Sequence, residues 1–126
     1  MLSPTSPDKF WTAIEELIAT SKIVIDRPKG SRHPKVTEAI YPIDYGYLEG
    51  TTAADGEGID VWVGSMQPPV VTGVVCTVDR GKRDAEVKLL IGCTSDEEAA
   101  ILTFLNLGTM SAMLLRRPGV KHSDPS

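Results

Sequence analysis

Three carboxylates fall within the six-residue segment DGEGID, residues 55–60, in which two glycines separate Asp55, Glu57 and Asp60. This spacing by itself is typical of an exposed turn, because Asp and Gly are common turn residues. Asp60, however, leads into the apolar run at residues 61–63. A strand there would bury its carboxylate at a cost in free energy unless a cation or hydrogen bonds offset it. Because Mg²⁺ prefers carboxylate oxygens, the segment predicts a magnesium site.

A second group of acids follows the next apolar run. Asp79 comes directly after a predicted strand over residues 70–78, and Asp84 and Glu86 lie beyond the following turn. If the strands over 59–64 and 70–78 are neighbours, both groups of acids reach one end of the sheet. Such a cluster of like charges repels itself without a metal ion, so this arrangement also favours a bound cation.

Basic residues supply the opposite charge. The turn-rich loop over residues 28–35 carries Lys29, Arg32 and Lys35, and Lys88 lies in the strand after the second group of acids. Alone, this loop would be interpreted as a solvated basic surface. Beside acids that hold Mg²⁺, it forms the arrangement that a phosphate-rich substrate needs, since cations neutralise the charge that develops on a transferred phosphoryl group.

The elements that must position these side chains follow from the periodicity of the apolar residues. Short apolar or β-branched runs predict strands at residues 22–27, 59–65, 70–78 and 86–93. Several short strands joined by turns favour a small barrel or sandwich over βαβ units. The fold class predicted from the sequence is therefore α+β and mainly β.

Helical patterns lie on either side of these strands. A helix is predicted over about residues 7–20, with Ser6 as its N-cap. A second helix is predicted to begin at Ser95 as N-cap, with Glu98 as the partner in a capping box. The segment MSAMLLRR, residues 110–117, is predicted to form a further short helix before the next proline.

Length and composition restrict the class of protein. The 126 residues, 41% of them hydrophobic and 24% charged, predict one domain over 1–126 with flexible ends at 1–6 and 121–126. The net charge of −4 argues against non-specific nucleic-acid binding. No segment approaches the ~18 uninterrupted apolar residues of a membrane span, and the N-terminus lacks signal-peptide features, so a cytoplasmic location away from membranes is expected. Cys76 and Cys93 lie in apolar runs and are predicted to be buried thiols.

Four segments together resemble the family I soluble inorganic pyrophosphatases. They are IVIDRPKGSRHPK, YPIDYGYLEGT, DGEGIDVWV and DRGKRDAEVKLL, in the family's order over about residues 22–92. YPIDYGY a short step before DGEGID is more specific than either segment alone. The resemblance implies an OB-like five-stranded β-barrel with an N-terminal helix and C-terminal helices packed outside. It also implies Mg²⁺-dependent hydrolysis of pyrophosphate, or of a related phosphoanhydride, to phosphate through a metal-activated water.

The resemblance and the basic loop together name candidate residues. The candidate metal ligands are Asp26, Asp55, Asp60, Asp79, Asp84 and Glu86. The candidate catalytic residues are Glu57, Asp60 and Tyr45. The candidate substrate contacts are Lys29, Arg32, Lys35, Tyr45 and Lys88. Glu57 matches the acid that serves as general base or positions the water. One position stays open, because Asp84 keeps the family's spacing from Asp79, whereas Glu86 keeps the spacing to Lys88.

The sequence departs from the family pattern in both halves of the site. Glu57 stands where the family has Asp, and Gly58 stands where it has Pro. The stretch between Lys35 and Tyr41 is too short for the hairpin on which the family carries a phosphate-binding Arg. The C-terminal part also lacks the family's Tyr-Lys pair. The chain therefore keeps more of the metal half than of the phosphate half, and a neighbouring subunit of a homo-oligomer is one way to replace the lost contacts.

Two alternatives remain open at this level. A pyrophosphatase-like protein without turnover would bind metal and phosphate ligands for regulation or assembly. An OB-type single-strand nucleic-acid binder would use aromatic side chains as stacking platforms, and the candidates are Tyr41, Tyr45, Tyr47 and Trp62. The acidic net charge favours instead a core position for these aromatics.

Overall fold

Eight elements follow one another along residues 7–122, the part of the chain that this computed structural model describes. They are α1 (Pro7–Ala19), β1 (Lys22–Arg27), β2 (Asp44–Glu49), β3 (Ile59–Val63), β4 (Val71–Asp79), β5 (Asp84–Ile91), α2 (Ser95–Leu105) and β6 (Met110–Arg116). The α+β, mainly β fold class is therefore confirmed. No helix within these residues is long and apolar enough to cross a membrane.

The strands form one sheet in the order β1-β2-β3-β5-β4-β6. Every neighbouring pair is antiparallel except β3 and β5, which are parallel. The strands over 59–64 and 70–78 are not neighbours, because β5 lies between β3 and β4. Six strands are present where five were expected, and within residues 7–122 no pairing joins β1 to β6, so the sheet is open.

The sixth strand replaces the short helix predicted over residues 110–117. Met110, Ala112 and Leu114 point to the core and alternate with more exposed residues, as in a strand with one buried face. The segment lines up against β4 from Asp79↔Met110 to Gly73↔Arg116. Its apolar side chains on both faces made the sequence pattern ambiguous between helix and strand, and the pairing with β4 decides it.

Two apolar clusters lie on opposite faces of the sheet. One packs α1 against the sheet and contains Trp11 and Ile14 of the helix together with Leu48, Val61 and Leu89 of the strands, among others. The other packs α2 against the opposite face and includes Ile101, Leu105, Tyr41, Trp62, Leu90 and Cys93. The two helices therefore cover different faces, and residues that alternate along the central strands go to different clusters.

The cap of α2 lies one residue earlier than predicted. Thr94, in an extended conformation, accepts a hydrogen bond on its hydroxyl from the Glu97 amide at 3.1 Å. The Glu97 carboxylate accepts in return from the Thr94 amide at 2.9 Å. Ser95 is therefore the first helical residue. Glu98, predicted to complete the capping box, is buried instead and pairs with Arg116 at 2.8 Å.

The ends of the chain are only partly described. Ser6, the predicted N-cap of α1, lies outside the described residues, as do the rest of the predicted flexible segment 1–6 and residues 123–126. His122 was also predicted to be in a flexible tail. Its Nε2 atom lies 2.7 Å from the Thr72 carbonyl oxygen, so the part of the tail next to the domain is held to the sheet.

The antiparallel register of β1, β2 and β3 explains why two sequence motifs go together. YPIDYGY ends in β2 and DGEGID leads into β3, and Tyr47 of the first lies opposite Asp60 of the second. Gly46 sits where β1 comes closest, since a Cβ there would lie 1.8 Å from the Val24 carbonyl oxygen. The motif therefore needs glycine at this position for β1 and β2 to pair.

Candidate functional site

Lys88 is the centre of a cluster of polar side chains built on three strands. Its side chain is buried, with 5% of the residue exposed. The ammonium donates hydrogen bonds to Asp60 Oδ2 at 2.8 Å, to Tyr45 Oη at 2.9 Å and to Glu86 Oε2 at 3.1 Å. These three partners engage all three ammonium protons. We call these four residues the Lys88 cluster.

The parallel pairing of β3 and β5 brings the cluster together. The residue after Asp60 pairs with the residue after Lys88, so these two side chains lie side by side on the same face. Tyr45 of β2 lies opposite Trp62 of β3, and Trp62 shares its face with Asp60 because the two are two residues apart in a strand. The geometry is therefore fixed by backbone pairing.

The electrostatics of the Lys88 cluster keep a charge and a proton in place. Burial disfavours the charged form of Lys88, but the Tyr45 hydroxyl and the Asp60 carboxylate outweigh that effect and hold the pKa of Lys88 above its usual range. Burial raises the pKa of the Tyr45 hydroxyl. The cluster thus presents a permanent ammonium and a protonated hydroxyl.

The cluster forms one wall of an open cavity of about 710 Å³. Nine of the residues predicted from the sequence line it: Lys35, Tyr45, Asp55, Glu57, Asp60, Asp79, Asp84, Glu86 and Lys88. Asp26 lines a hollow of about 360 Å³ that shares Tyr45, Glu57 and Asp60 with the main cavity. The fold therefore gathers most of the predicted acids and two of the predicted lysines around one space.

Two of the predicted substrate contacts do not line either hollow. The Arg32 guanidinium donates to the Thr37 carbonyl oxygen at 2.9 Å, within its own loop. Lys29 donates its backbone amide to Asp44 Oδ1 at 2.9 Å, which holds the loop against the start of β2. The sequence does not distinguish the bases of this loop, but its turns direct Lys35 to the cavity and leave Lys29 and Arg32 away from it.

Several of the acids also stabilise the turns that carry them. Asp79 Oδ1 accepts hydrogen bonds from the Thr109 hydroxyl at 2.7 Å and from the Gly81 and Lys82 amides at 2.9 and 3.2 Å. The Thr109 hydroxyl, followed by these amides, lowers the pKa of the Asp79 carboxyl. In the DGEGID loop, Asp55 Oδ1 accepts from the Glu57 amide at 3.0 Å, as in an Asx-turn.

The acids suit a hard cation in their chemistry, but they do not form a preassembled cage. Within residues 7–122, no three His, Cys, Asp or Glu side chains are grouped closely enough to hold a metal ion by themselves. Mg²⁺ commonly keeps several waters and binds through one or two carboxylates together with substrate phosphates. Six carboxylates around one cavity fit such a loosely held cation, so the donor set is compatible with Mg²⁺.

Three basic side chains that line the cavity are absent from the residues predicted from the sequence: Arg27, His33 and Lys82. Arg27 enters through a bulge in β1 that sequence periodicity does not reveal. The sequence places His33 in a turn, where two backbone amides, those of Lys35 and Val36, donate to its Nδ1 at 3.0 and 3.1 Å. Lys82 lies in the hairpin between the predicted metal ligands Asp79 and Asp84. This position is the one feature of the sequence that could have indicated its place at the cavity.

Aromatic rings form the inner wall of the cavity. Tyr41 and Trp62 are buried, at 6% and 0% exposure, and pack with centroids 5.9 Å apart. Tyr45 lies 5.4 Å from Tyr41 and 4.5 Å from Trp62. Rings that are buried in this way cannot stack on nucleobases, so two of the four platforms proposed for a nucleic-acid binder are unavailable for that role.

Comparison with known proteins identifies relatives of this chain. The family model described as Inorganic Pyrophosphatase matches residues 15–107. The inorganic pyrophosphatase of Bacillus sp. (strain PS3) is 38% identical over 55 residues, which cover 37% of this chain and 33% of the relative. The alignment thus spans about a third of the length of this curated relative. No solved structure gives a significant match.

Proposed function

This chain belongs to the inorganic pyrophosphatase family, and from that premise we propose that it hydrolyses inorganic pyrophosphate to two phosphates with Mg²⁺. The observation that carries the proposal is the cavity that combines the acids of DGEGID with the buried ammonium of Lys88. Cleavage of a bond between phosphates requires positive charge that stabilises the developing negative charge. The acids would supply it by attracting a metal cation, and the fixed ammonium of Lys88 supplies it directly.

In the proposed reaction, a water oxygen attacks one phosphorus, and the bond from that phosphorus to the bridging oxygen breaks. Glu57 takes the proton from the water. Its carboxylate lines the cavity and is exposed on its loop, so a water molecule can reach it. Lys88 neutralises charge on the phosphate that leaves, and the protonated Tyr45 hydroxyl donates a hydrogen bond to it. A phosphate that reaches Lys88 takes over one of the three hydrogen bonds that the ammonium makes.

We propose that Asp26, Asp55, Asp60, Asp79 and Asp84 hold the metal. Bound Mg²⁺ supplies Lewis-acid stabilisation of phosphoryl oxygens and lowers the pKa of a bound water. The hairpin favours Asp84 over Glu86 as the partner of Asp79, because Asp84 lies directly opposite Asp79 in the β4–β5 register. Like charges placed in this way repel unless a cation lies near them. Glu86 already pairs with Lys88 at 3.1 Å, so its proposed role is to position the ammonium.

The experiment that tests this function is phosphate release from pyrophosphate by the full chain, with and without Mg²⁺. Glu57→Gln removes the base and should lower kcat by about 10²–10⁴-fold. Asp60→Asn should also lower release by at least about tenfold, because it removes the carboxylate that pairs with Lys88 and that is proposed to bind the metal. Glu38→Gln, an exposed carboxylate that does not line the cavity, is the matched control and should leave release unchanged.

A second candidate is a protein that binds metal and phosphate ligands without turnover. Two observations favour it: within the described residues no three acids are gathered for a metal, and all three protons of Lys88 are already engaged. The two candidates differ in one outcome. Calorimetric binding of Mg²⁺ and phosphate by a wild-type chain that releases no phosphate from pyrophosphate would select the non-catalytic candidate.

We further propose that the chain forms a homo-oligomer. β6 is an edge of the sheet, and Met113 and Leu115 on it are 67% and 50% exposed. Exposed edge strands with apolar side chains are open to pairing with another chain. Light scattering of the purified chain should give a mass above the 13.6 kDa of the monomer, and a monomer mass at micromolar concentration would contradict the proposal.

A further inference from the structure

A second group of positive side chains lines the cavity apart from the Lys88 cluster. Arg27, Lys35 and Lys82 come from β1, the loop after it and the β4–β5 hairpin. Within residues 7–122 none of these three forms an ion pair with an acid. The charge of Lys82 also acts on Asp79, but the three cations converge from separate parts of the chain and repel one another, so their placement favours an anion between them.

A bulge in β1 delivers Arg27 to this group. Ile25 pairs with Gly46, and a regular strand would then place Asp26 opposite Tyr45. The register shifts at this point, and Arg27 takes that place instead. Bulges re-aim side chains in this way. Arg27 is half-buried, and its positive charge opposes the rise that burial causes in the pKa of Tyr41, so the guanidinium lies near the aromatic wall of the cavity.

His33 lies among these cations and is held in a defined tautomer. Its Nδ1 accepts the Lys35 and Val36 amides, so the proton of the neutral ring is on Nε2, which is left as a donor. Burial, and then the charges of Arg27, Lys82 and Lys35, lower the pKa of His33. The ring stacks on Tyr41 with planes 9° apart. His33 therefore contributes a neutral N–H donor beside three cations.

The rings of Tyr41 and Tyr45 separate this group from Lys88. Tyr41 lies 6.1 Å from the His33 ring and 5.4 Å from the Tyr45 ring, and the Lys88 ammonium lies 5.4 Å from the centre of the Tyr45 ring. The cavity therefore has two positive centres along one aromatic wall. Its volume of about 710 Å³ falls in the range of pockets that hold drug-sized ligands, so it has room for a phosphate group at each centre.

We propose that Arg27, His33, Lys35 and Lys82 form a phosphate-binding subsite that holds one phosphate group of the substrate while the Lys88 cluster holds the other. This inference rests on the proposed function for the identity of the anion as a diphosphate. The planar fork of Arg27 supplies paired donors to phosphate oxygens. Lys35, Lys82 and the Nε2–H of His33 supply the remaining contacts.

The test is calorimetric binding of methylenediphosphonate, which cannot be hydrolysed, to the full chain without divalent cations. Arg27→Gln and Lys82→Gln should each weaken binding by about tenfold or more, because each removes a charge-assisted contact to phosphate. The matched controls are Lys22→Gln, an exposed cation on the same strand as Arg27, and Arg80→Gln, an exposed cation of the same hairpin as Lys82. Neither lines the cavity, and both should bind as the wild type does.

The outcomes separate this subsite from the proposed function. Wild-type affinity in both cavity variants overturns the subsite even if the chain hydrolyses pyrophosphate, and so does the lack of millimolar binding by the wild type. Weakened binding in both variants supports the subsite even if no turnover is found. If Arg27→Gln fails to fold, as judged by thermal unfolding, Lys82→Gln on the exposed hairpin carries the test. Arg27→Lys, which keeps the charge and loses the fork, should then bind with intermediate affinity.

Discussion

The cavity has a part built on strands and a part built on loops, and the two differ in how their side chains are held. Tyr45, Asp60 and Lys88 lie on paired strands, and Lys88 donates hydrogen bonds to the other two. Glu57 and Lys35 lie on exposed loops, and among the described residues neither side chain forms an ion pair. The strands therefore fix a charge in place before any ligand arrives, whereas the loops present acids and bases that a metal or a phosphate would order.

This difference predicts that a glycine on the strand side tolerates change far less than one on the loop side. Gly46→Ala should destabilise the fold by about 3 kcal/mol or more, because the added Cβ meets the Val24 carbonyl oxygen of the neighbouring strand. Gly56→Ala in the acidic loop has open space around it and a φ of +85°, so it should cost about 1 kcal/mol from backbone strain. Urea unfolding of both variants measures the contrast, and equal losses would contradict it.

Removing the ammonium of Lys88 should be the next largest effect. Lys88→Met leaves the carboxylates of Asp60 and Glu86 without their partner, and breaking a largely buried pair in this way should cost about 2 kcal/mol after allowance for the partly exposed acids. Lys22→Met, an exposed lysine of β1, is the control and should change the free energy of unfolding by less than about 0.5 kcal/mol. A variant of Lys88 as stable as this control would show that the cluster does not stabilise the strands.

Asp79 should contribute to stability in a pH-dependent way. Its pKa is lower in the folded chain than the ordinary value of 3.8, so its contribution is present above about pH 4 and is lost as the pH falls through the folded pKa. Asp79→Asn should therefore flatten the loss of stability on acidification below pH 4. Urea unfolding midpoints of the wild type and the variant between pH 2 and 6 check this, and parallel curves would argue against the hydrogen bonds from Thr109 and the turn.

The smallest predicted effect concerns the two thiols. Cys93 is buried as predicted, and its burial raises its pKa to about 12; Cys76 is only half-buried, which corrects the prediction for that residue. At pH 8, iodoacetamide should therefore label Cys76 faster than Cys93. Peptide mass spectrometry after partial labelling gives the two rates, and equal rates would mean that the α2 side of the core opens readily.

Local patterns in the sequence were enough to predict much of the fold. The strand over 22–27 is found at those residues, and the first helix and the runs that became β3, β4 and β5 are each found within about two residues. These elements carry strong periodicity and clear turn residues. Thr94 and Ser95 can both accept the hydrogen bond of an N-cap, so the sequence alone does not decide between them. The first residue of α2 depends on backbone geometry that the sequence does not show.

The remaining features depend on contacts between distant segments. The parallel pairing of β3 with β5 brings Lys88 beside Asp60, and no local pattern indicates which strands become neighbours. The bulge that aims Arg27 at the cavity, and the turns that direct Arg32 away from it, likewise arise from pairing and loop geometry. Residue types could therefore suggest a phosphate and metal site, while the identity of several cations in it required the fold.

Phosphate release from pyrophosphate by the wild-type chain, measured as Mg²⁺ is titrated from zero, tests the central claim most directly. We predict release that rises with Mg²⁺ and saturates, and that is at least about a hundredfold slower in Glu57→Gln at every concentration. No release by the wild type at any Mg²⁺ concentration, or equal release by the wild type and Glu57→Gln, would contradict the account.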